Sequence, residues 1–512
     1  MTMGFISSGR AALGTVQEVP LQEDHQQEVS VLKEEGNNTS AALTANVSSS
    51  NDSSSQVTSN ESTSPASNEF SSSLSPAVEK PSSQSPTEAA TTVTKKESFD
   101  SSALKSCTIV TSSSVALSAD VTADGEVTMS EDFSKRLVAQ VCRKLDAFLE
   151  TSPSIKENSN LESLPRFARD GLLLGNIIAK GGFSKIIEVN FTENNSSNHV
   201  PGLFNDSTSN NLLSNDKKEQ QQYVIKSLST MLDLKKLPGA TKDIVFEAHT
   251  LSSLNHKNII KLRGLSKDGI DGFKTTRRAD GFFMVLDRLG DTLFQKVYQW
   301  QHELQYNGKY QGLQKKVSVR QIKREQFREK ISIIVDVSAA LAYCHSRRIV
   351  HRDIKSANVA YCPRDSCWKL IDFGLAMELP ALDPRDPHRT YELTGNIGTA
   401  RYMDPAVILS LNYNEKADVH SFSVLCWEAC AGKKPYSKLD AAKVKERVSK
   451  WHERPKVYWS WPRKLKNLLR KGWAVKSEDR PAMQEFHKIL VKVQKSLPKS
   501  NIDPALLCRQ HN

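Results

Sequence analysis

From Met1 to about Ser130 the chain carries no sustained apolar repeat. It is rich in Ser, Thr and Asn and poor in aromatics, as in "NVSSSNDSSSQVTSNESTSPASNEFSSSLSP". Such a segment buries too little apolar surface to offset the entropy of ordering it, so residues 1–130 are expected to be disordered. The pattern changes in "DFSKRLVAQVCRKLDAFL", where Phe133, Leu137, Val141, Leu145 and Phe148 recur at helical spacing. A helix is therefore expected within a flanking segment, 131–170, packed on the domain that follows. A regulatory helix would carry the same pattern.

Strand signals come next. "GLLLGNIIAKGGFSKIIEVNF" reads as strand, Gly turn, strand, and "YVIKSL" as a further strand. Between them lies an Asn/Ser-rich insertion, 192–222, longer than ordinary ordered connections. "DIVFEAHTLSSL" places Ile244, Phe246, Leu251 and Leu254 at helix-like spacing, and "GFFMVLDRL" reads as a buried strand. Later, "KISIIVDVSAALAYCHSRR" is a long helix with Ile331, Ile334, Val335 and Leu341 in its apolar stripe. "HSFSVLCWEACAG" is apolar almost all round and should be central, and helices continue to about Val493. The chain thus divides into a strand-rich part, 171–289, a helix-rich part, 290–495, and a tail, 496–512. The fold class expected is α+β and bilobal: a small β-rich lobe, a larger α-helical lobe, and a cleft between them where a ligand binds.

Composition changes this picture little. At 512 residues the chain exceeds one ordinary compact domain, which fits a large domain plus a disordered region. Its net charge of +11 suits acidic partners but says nothing of fold. The basic run "QKKVSVRQIKREQFREK", Gln314 to Lys330, reads as the solvated face of the helix it leads into. A docking patch for acidic partners and a nuclear import signal are its other readings. The eight cysteines form no CxxC pair, and buried, reduced thiols are expected. No stretch approaches the ~18 apolar residues of a membrane span. The start lacks the apolar core of a signal peptide. The expected setting is intracellular, cytoplasmic or nuclear, without membrane or nucleic-acid partners; the oligomeric state stays open.

One short run concentrates the chemistry: "HRDIKSANVAYCPRDSCWKLIDFG", His351 to Gly374. It places Asp353, Lys355, Asn358 and Asp372 on loops pinned by short strands. Phosphoryl transfer needs such a set. One Asp accepts and orients the acceptor hydroxyl, and a Lys offsets charge on the moving group. An Asn and a second Asp hold Mg²⁺, because hard cations prefer oxygen ligands.

"HRDIKSAN" followed by "IDFG" resembles the catalytic loop and metal-binding motif of the eukaryotic protein kinases. The resemblance covers roughly Gly171 to Val493. It implies ATP and Mg²⁺ as cofactors and proteins as substrates, with Asp353 and Lys355 catalytic and Asn358 and Asp372 as metal ligands. The turn in "IIAKGGFSKIIEV" implies a phosphate-covering loop of Ala179, Lys180, Gly181, Gly182, Phe183 and Ser184, with Ile186 behind it. Lys226 of "YVIK" is implied as the phosphate-binding Lys and Glu247 as its partner. Leu286 stands at the gatekeeper position, Asp287 to Leu289 offer backbone to adenine, and Val224 and Ala360 sandwich the ring. "ADVHSFSVLCWE" resembles the central helix, with Asp418 bracing the catalytic loop. Lys355, and Thr399 in "GTARY", resemble serine/threonine kinases; "DVHSF" and "RPAM" lean towards the tyrosine-kinase-like group. The function implied is a serine/threonine protein kinase, the alternative a pseudokinase-like ATP-binding scaffold.

The resemblance also implies that Arg352 pairs with an activating phosphate at Thr390, Tyr391 or Thr394, of which Thr394 is favoured. Three departures stand out. Ala179 and Ser184 replace two of three glycines, which should lower nucleotide affinity modestly. Val224 is larger and Ala360 smaller than usual, so the two are expected to compensate in volume. The activation segment ends "MDPAV", so Ala406 stands where a Glu normally pairs with Arg480. A buried Arg without a partner costs several kcal/mol, so another acid must serve or the site is wetter. Asp404 is near but two positions away.

Overall fold

A computed structural model of the chain describes residues 119–121, 127–191, 223–309 and 318–498. Most of the region expected to be disordered, the 192–222 insertion, and the tail beyond Pro498 lie outside the described residues. The boundary at 130 moves earlier: β1 (Ala119–Val121) pairs antiparallel with β2 (Val127–Met129), and Met129 is buried in the core.

The flanking helix is α1 (Glu131–Glu150). Ser130 caps it by accepting a hydrogen bond from the Phe133 amide, and Glu131 and Asp132 complement the helix dipole in its first turn. Leu137, Val138 and Val141 face inward. A short helix α2 (Pro153–Asn158) buries Ile155, and β3 (Arg166–Phe167) follows.

The first lobe is a six-stranded sheet in the order β3-β7-β8-β6-β5-β4. Its antiparallel part comprises β4 (Leu172–Lys180), β5 (Ser184–Phe191), β6 (Tyr223–Leu228), β7 (Leu262–Ser266) and β8 (Phe283–Asp287). The helix α3 (Leu237–Ser253) follows β6, and α4 (Gly272–Thr276) precedes β8. β3 joins β7 in parallel. The lobe therefore begins before Gly171, and the flanking segment contributes both a strand and helices packed on α3. A two-residue strand has no periodicity to betray it, which is why the sequence reading stopped at 171.

The second lobe holds α5 (Leu293–Lys309) and α6 (Val319–Ser346), then β9 (Ile349–Val350), β10 (Val359–Cys362), β11 (Cys367–Leu370) and β12 (Met377–Glu378). It continues with α7 (Pro405–Ile408), α8 (Lys416–Ala431), α9 (Ala441–Ser449), α10 (Arg463–Gly472) and α11 (Met483–Ser496). Ser318 and Gln321 form a reciprocal cap at the start of α6, so the described part of the basic run is that cap and the first 12 of the helix's 28 residues. As its composition demands, α8 is buried along almost its whole length. Cys362 and Cys367 face one another across the β10–β11 hairpin as free thiols, and Cys426 and Cys430 are buried in α8.

Candidate active site

The floor of the site is the loop between β9 and β10. It is held from below by Asp418 on α8, whose carboxylate accepts hydrogen bonds from the His351 amide (2.8 Å), the Arg352 amide (2.9 Å) and His345 Nε2 (3.0 Å). The His351 ring packs edge-on against Phe373 at 4.7 Å between centroids. Asp353 is thereby presented on a rigid turn with both carboxylate oxygens engaged. Thr399 donates to Oδ1 at 2.8 Å; Lys355, at 2.8 Å, and Asn358, at 3.1 Å, approach Oδ2. Thr399 reaches it because Gly398, at φ +90°, lets the backbone pass over the loop; a Cβ there would lie 2.5 Å from the Arg352 carbonyl oxygen.

The ceiling is the sheet. Directly opposed antiparallel residues share a face, so Ile186, Lys226 and Met284 line up across β5, β6 and β8, with Val224 and Leu286 beside them. Lys226 Nζ bonds both Glu247 oxygens, at 2.7 and 2.8 Å, and Asp372 Oδ1 at 3.0 Å. Burial works against the Lys226 ammonium, but Asp372 and Glu247 outweigh it and raise the pKa. The Lys226 charge in turn holds the Asp372 carboxyl down to about 2. Asp372 sits at φ 64°, a strained backbone for a non-glycine residue, with Phe373 packed in the core beside it.

Between floor and ceiling lies the chain from β8 to α5. Gly290 donates to the Tyr361 carbonyl and Tyr361 to that of Asp291, which sets β10, and with it buried Ala360, under this segment. Asp287 uses its side chain elsewhere: it is buried between Arg263 of β7 and Arg364 of the β10–β11 hairpin, at 2.7 and 2.8 Å, and so ties the two lobes. Its backbone amide is also engaged, donating to the Lys261 carbonyl at 3.4 Å. The turn of Gly181, Gly182 and Phe183 projects from the sheet, closed by the Gly181 amide on the Ser184 carbonyl at 2.7 Å, and Phe183 is exposed at its tip. Ala179 pairs with Ile186 and Lys180 with Lys185 at its base. The structure therefore joins Lys226, Glu247 and Asp372 in one set of bonds and Asp353, Lys355 and Asn358 in another, with Val224 and Leu286 on the sheet beside Lys226.

Asn358 and Asp372 suit a magnesium ion. Asn358 spends its amide hydrogens on the Asp353 carbonyl and carboxylate, which leaves its oxygen for a cation. Asp372 has a side chain 44 % exposed and only Oδ1 bound to Lys226.

One feature was left open by the sequence and a second escaped it. Arg480 does have a carboxylate partner: Asp404 forms a fully buried ion pair with it and also accepts from the Ala406 amide to cap α7. The acid has moved two residues along the segment, and the pairing survives. The second feature is Glu378 on β12, whose two oxygens accept from the Ser154 and Ile155 amides of α2, at 3.0 and 2.9 Å. Phe148 of α1 stacks on Phe246 of α3 at 4.3 Å. The flanking segment thus braces the helix that carries Glu247.

The family model described as protein kinase domain matches residues 207–490, more than half of the chain. The chain belongs to the protein kinase family. A probable LIM domain-containing serine/threonine-protein kinase of Dictyostelium discoideum is 32 % identical over 168 residues, 33 % of this chain and 24 % of that protein. Serine/threonine-protein kinase STY46 of Arabidopsis thaliana is 31 % identical over 165 residues, 32 % of this chain and 27 % of its own. Human mitogen-activated protein kinase kinase kinase 7 is 28 % identical over 173 residues, 33 % of this chain and 27 % of its own. The match spans about a quarter of the length of these kinases. Their company agrees with the tyrosine-kinase-like leaning of "DVHSF" and "RPAM" within the kinase family.

Proposed function

We propose that this chain is a serine/threonine protein kinase that transfers the γ-phosphoryl group of ATP to hydroxyls of protein substrates. The observation that carries the reading is the unbroken set of bonds from Glu247 through Lys226 to Asp372, facing Asp353 across the cleft. Lys226 would bind the phosphates, held to its position by Glu247. Asp353 would orient the acceptor hydroxyl and accept its proton; its three bonds fix the carboxylate before substrate arrives, and positioning supplies much of the rate. Lys355 would offset charge on the transferred group. Magnesium, held by Asn358 and Asp372, would neutralise the nucleotide phosphates. Thr399, bonded to Asp353, fits serine or threonine acceptors.

Regulation by phosphorylation of the activation segment is part of the proposal. Arg352 Nη1 is buried without a hydrogen-bond partner, an environment that suits an anion. Thr394 is exposed, whereas Tyr391 is buried with its hydroxyl accepting from Arg348, so Thr394 remains the favoured site. Thr394→Ala should lower turnover, and mass spectrometry of the active protein should find phosphate in this segment.

The test of the activity is transfer from labelled Mg-ATP to a Ser/Thr peptide library. Asp353→Asn and Lys226→Met should each reduce transfer by on the order of 10²–10⁴. ATP binding without transfer by the phosphorylated chain would instead mark a kinase-shaped scaffold.

A further inference from the structure

Between Glu453 and Glu478 the chain carries eight Lys and Arg residues and no acid. This stretch contributes +8 to a chain of net charge +11. Its centre is α10. At about 100° per residue, Arg463, Lys464, Lys466, Arg470 and Lys471 share an outward arc of about 160°, and Leu465, Leu468 and Leu469 fill the opposite side. The three leucines are buried in the core, and the cations other than half-buried Lys466 are exposed. Among the described residues none of these five, nor Lys456 before them, forms a salt bridge; Lys466 donates to the Trp459 carbonyl at 2.9 Å.

That bond sets Trp459 beside α10. Trp459 is 88 % exposed, against 8 % for Trp461 two residues on. Trp451, 70 % exposed, follows α9, and Arg454 donates to the Val448 and Trp473 carbonyls, holding the ends of α9 and α10 together. Two exposed tryptophans therefore precede a helix whose outer arc carries five cations and one neutral residue, Asn467. A cation stripe alone is commonly a solvated face. Exposed tryptophans add a second requirement: their partner must take an apolar ring with a polar edge beside a dense field of anions. The phosphate and glycerol level of an anionic bilayer offers both, and the convex arc of a helix meets many headgroups at once where it would grip a single phosphate poorly.

We infer that the α10 face, with Trp459 as its apolar anchor, docks this protein on anionic lipid surfaces. The contact is peripheral, since among the described residues no helix is long and apolar enough to cross a membrane. It is independent of the kinase reading, because none of these residues belongs to the cleft.

The experiment is co-sedimentation of the full chain with phosphatidylcholine vesicles, with and without phosphatidylserine, at low and physiological salt. Binding should favour the anionic vesicles by roughly tenfold or more and weaken as salt rises. The Lys464→Glu/Lys471→Glu double variant should lose roughly tenfold or more, and Trp459→Ala severalfold even at low salt. All three positions are exposed, so thermal unfolding should not move. Equal binding to both vesicle types, or full binding by the double variant, overturns the proposal. So does displacement from vesicles by soluble poly-glutamate or single-stranded DNA at matched charge, which would assign the face to an acidic protein or nucleic acid.

Discussion

The floor and the ceiling of the cleft are built by opposite means. On the floor, Asp353, Lys355 and Asn358 lie within six residues and are bonded to one another, and a single buried carboxylate, Asp418, anchors the loop. On the ceiling, Lys226 and Glu247 come from separate elements, and their meeting depends on where α3 lies. α3 is braced from outside by Phe148, and the segment carrying it is fastened to the opposite lobe at Glu378. A floor of local bonds is fixed once its lobe folds. A ceiling assembled by packing has a position that distant contacts set, and that makes it the half open to adjustment.

The largest effect is expected in the lobe that carries the floor, at its buried ion pair. The Asp404–Arg480 pair is fully buried, and removing one partner of such a pair costs about 3–5 kcal/mol because the other charge is left stranded. Asp404→Ala should therefore lower the unfolding free energy by that amount, and with it the denaturation midpoint, without changing the ATP affinity of whatever remains folded. Adding Ala406→Glu should recover part of the loss. Chemical denaturation followed by circular dichroism measures both. A wild-type midpoint in Asp404→Ala would show that the displaced acid is no substitute.

A smaller effect is expected at the ceiling. Phe148→Ala removes a stacked ring worth about 0.5–1.5 kcal/mol beyond its burial, and Glu378→Gln replaces a carboxylate that accepts two amides. Each should lower turnover by roughly threefold to tenfold by loosening Glu247, and hydrogen exchange should rise in α3 while the 351–358 loop stays protected. Glu378→Asp should keep more activity than Glu378→Gln. Equal loosening of loop and helix would erase the distinction between the two halves.

The same contrast explains what was legible in sequence. The floor residues stand in one contiguous run, and the strands and α3 announce themselves by period. Lys226 and Glu247 were found because the resemblance to the protein kinases implies a Lys and a Glu at these places in the chain. Glu378 was not: its partners are more than two hundred residues away and are backbone amides, which leave no mark on side-chain choice. Asp404 was seen but not credited, since only packing shows that its carboxylate reaches Arg480 from a position two residues off.

The finest test concerns the wall of the ceiling over the nucleotide. Val224 is buried on the face that carries Lys226, and Ala360 is buried on β10 below the connecting segment. If the larger residue above offsets the smaller one below, Val224→Ala leaves a gap of two methyl-sized groups. At about 0.8 kcal/mol per group, or about 1.6 kcal/mol for both, ATP should bind roughly fifteenfold more weakly. Turnover at saturating ATP should change little, since Lys226 and Glu247 keep their bond. Ala360→Leu in the same chain should restore affinity by filling the gap from beneath. Equilibrium binding of ATP to the three proteins decides it: unchanged or tighter binding by Val224→Ala means the two positions act independently and the ceiling is packed without reference to the floor.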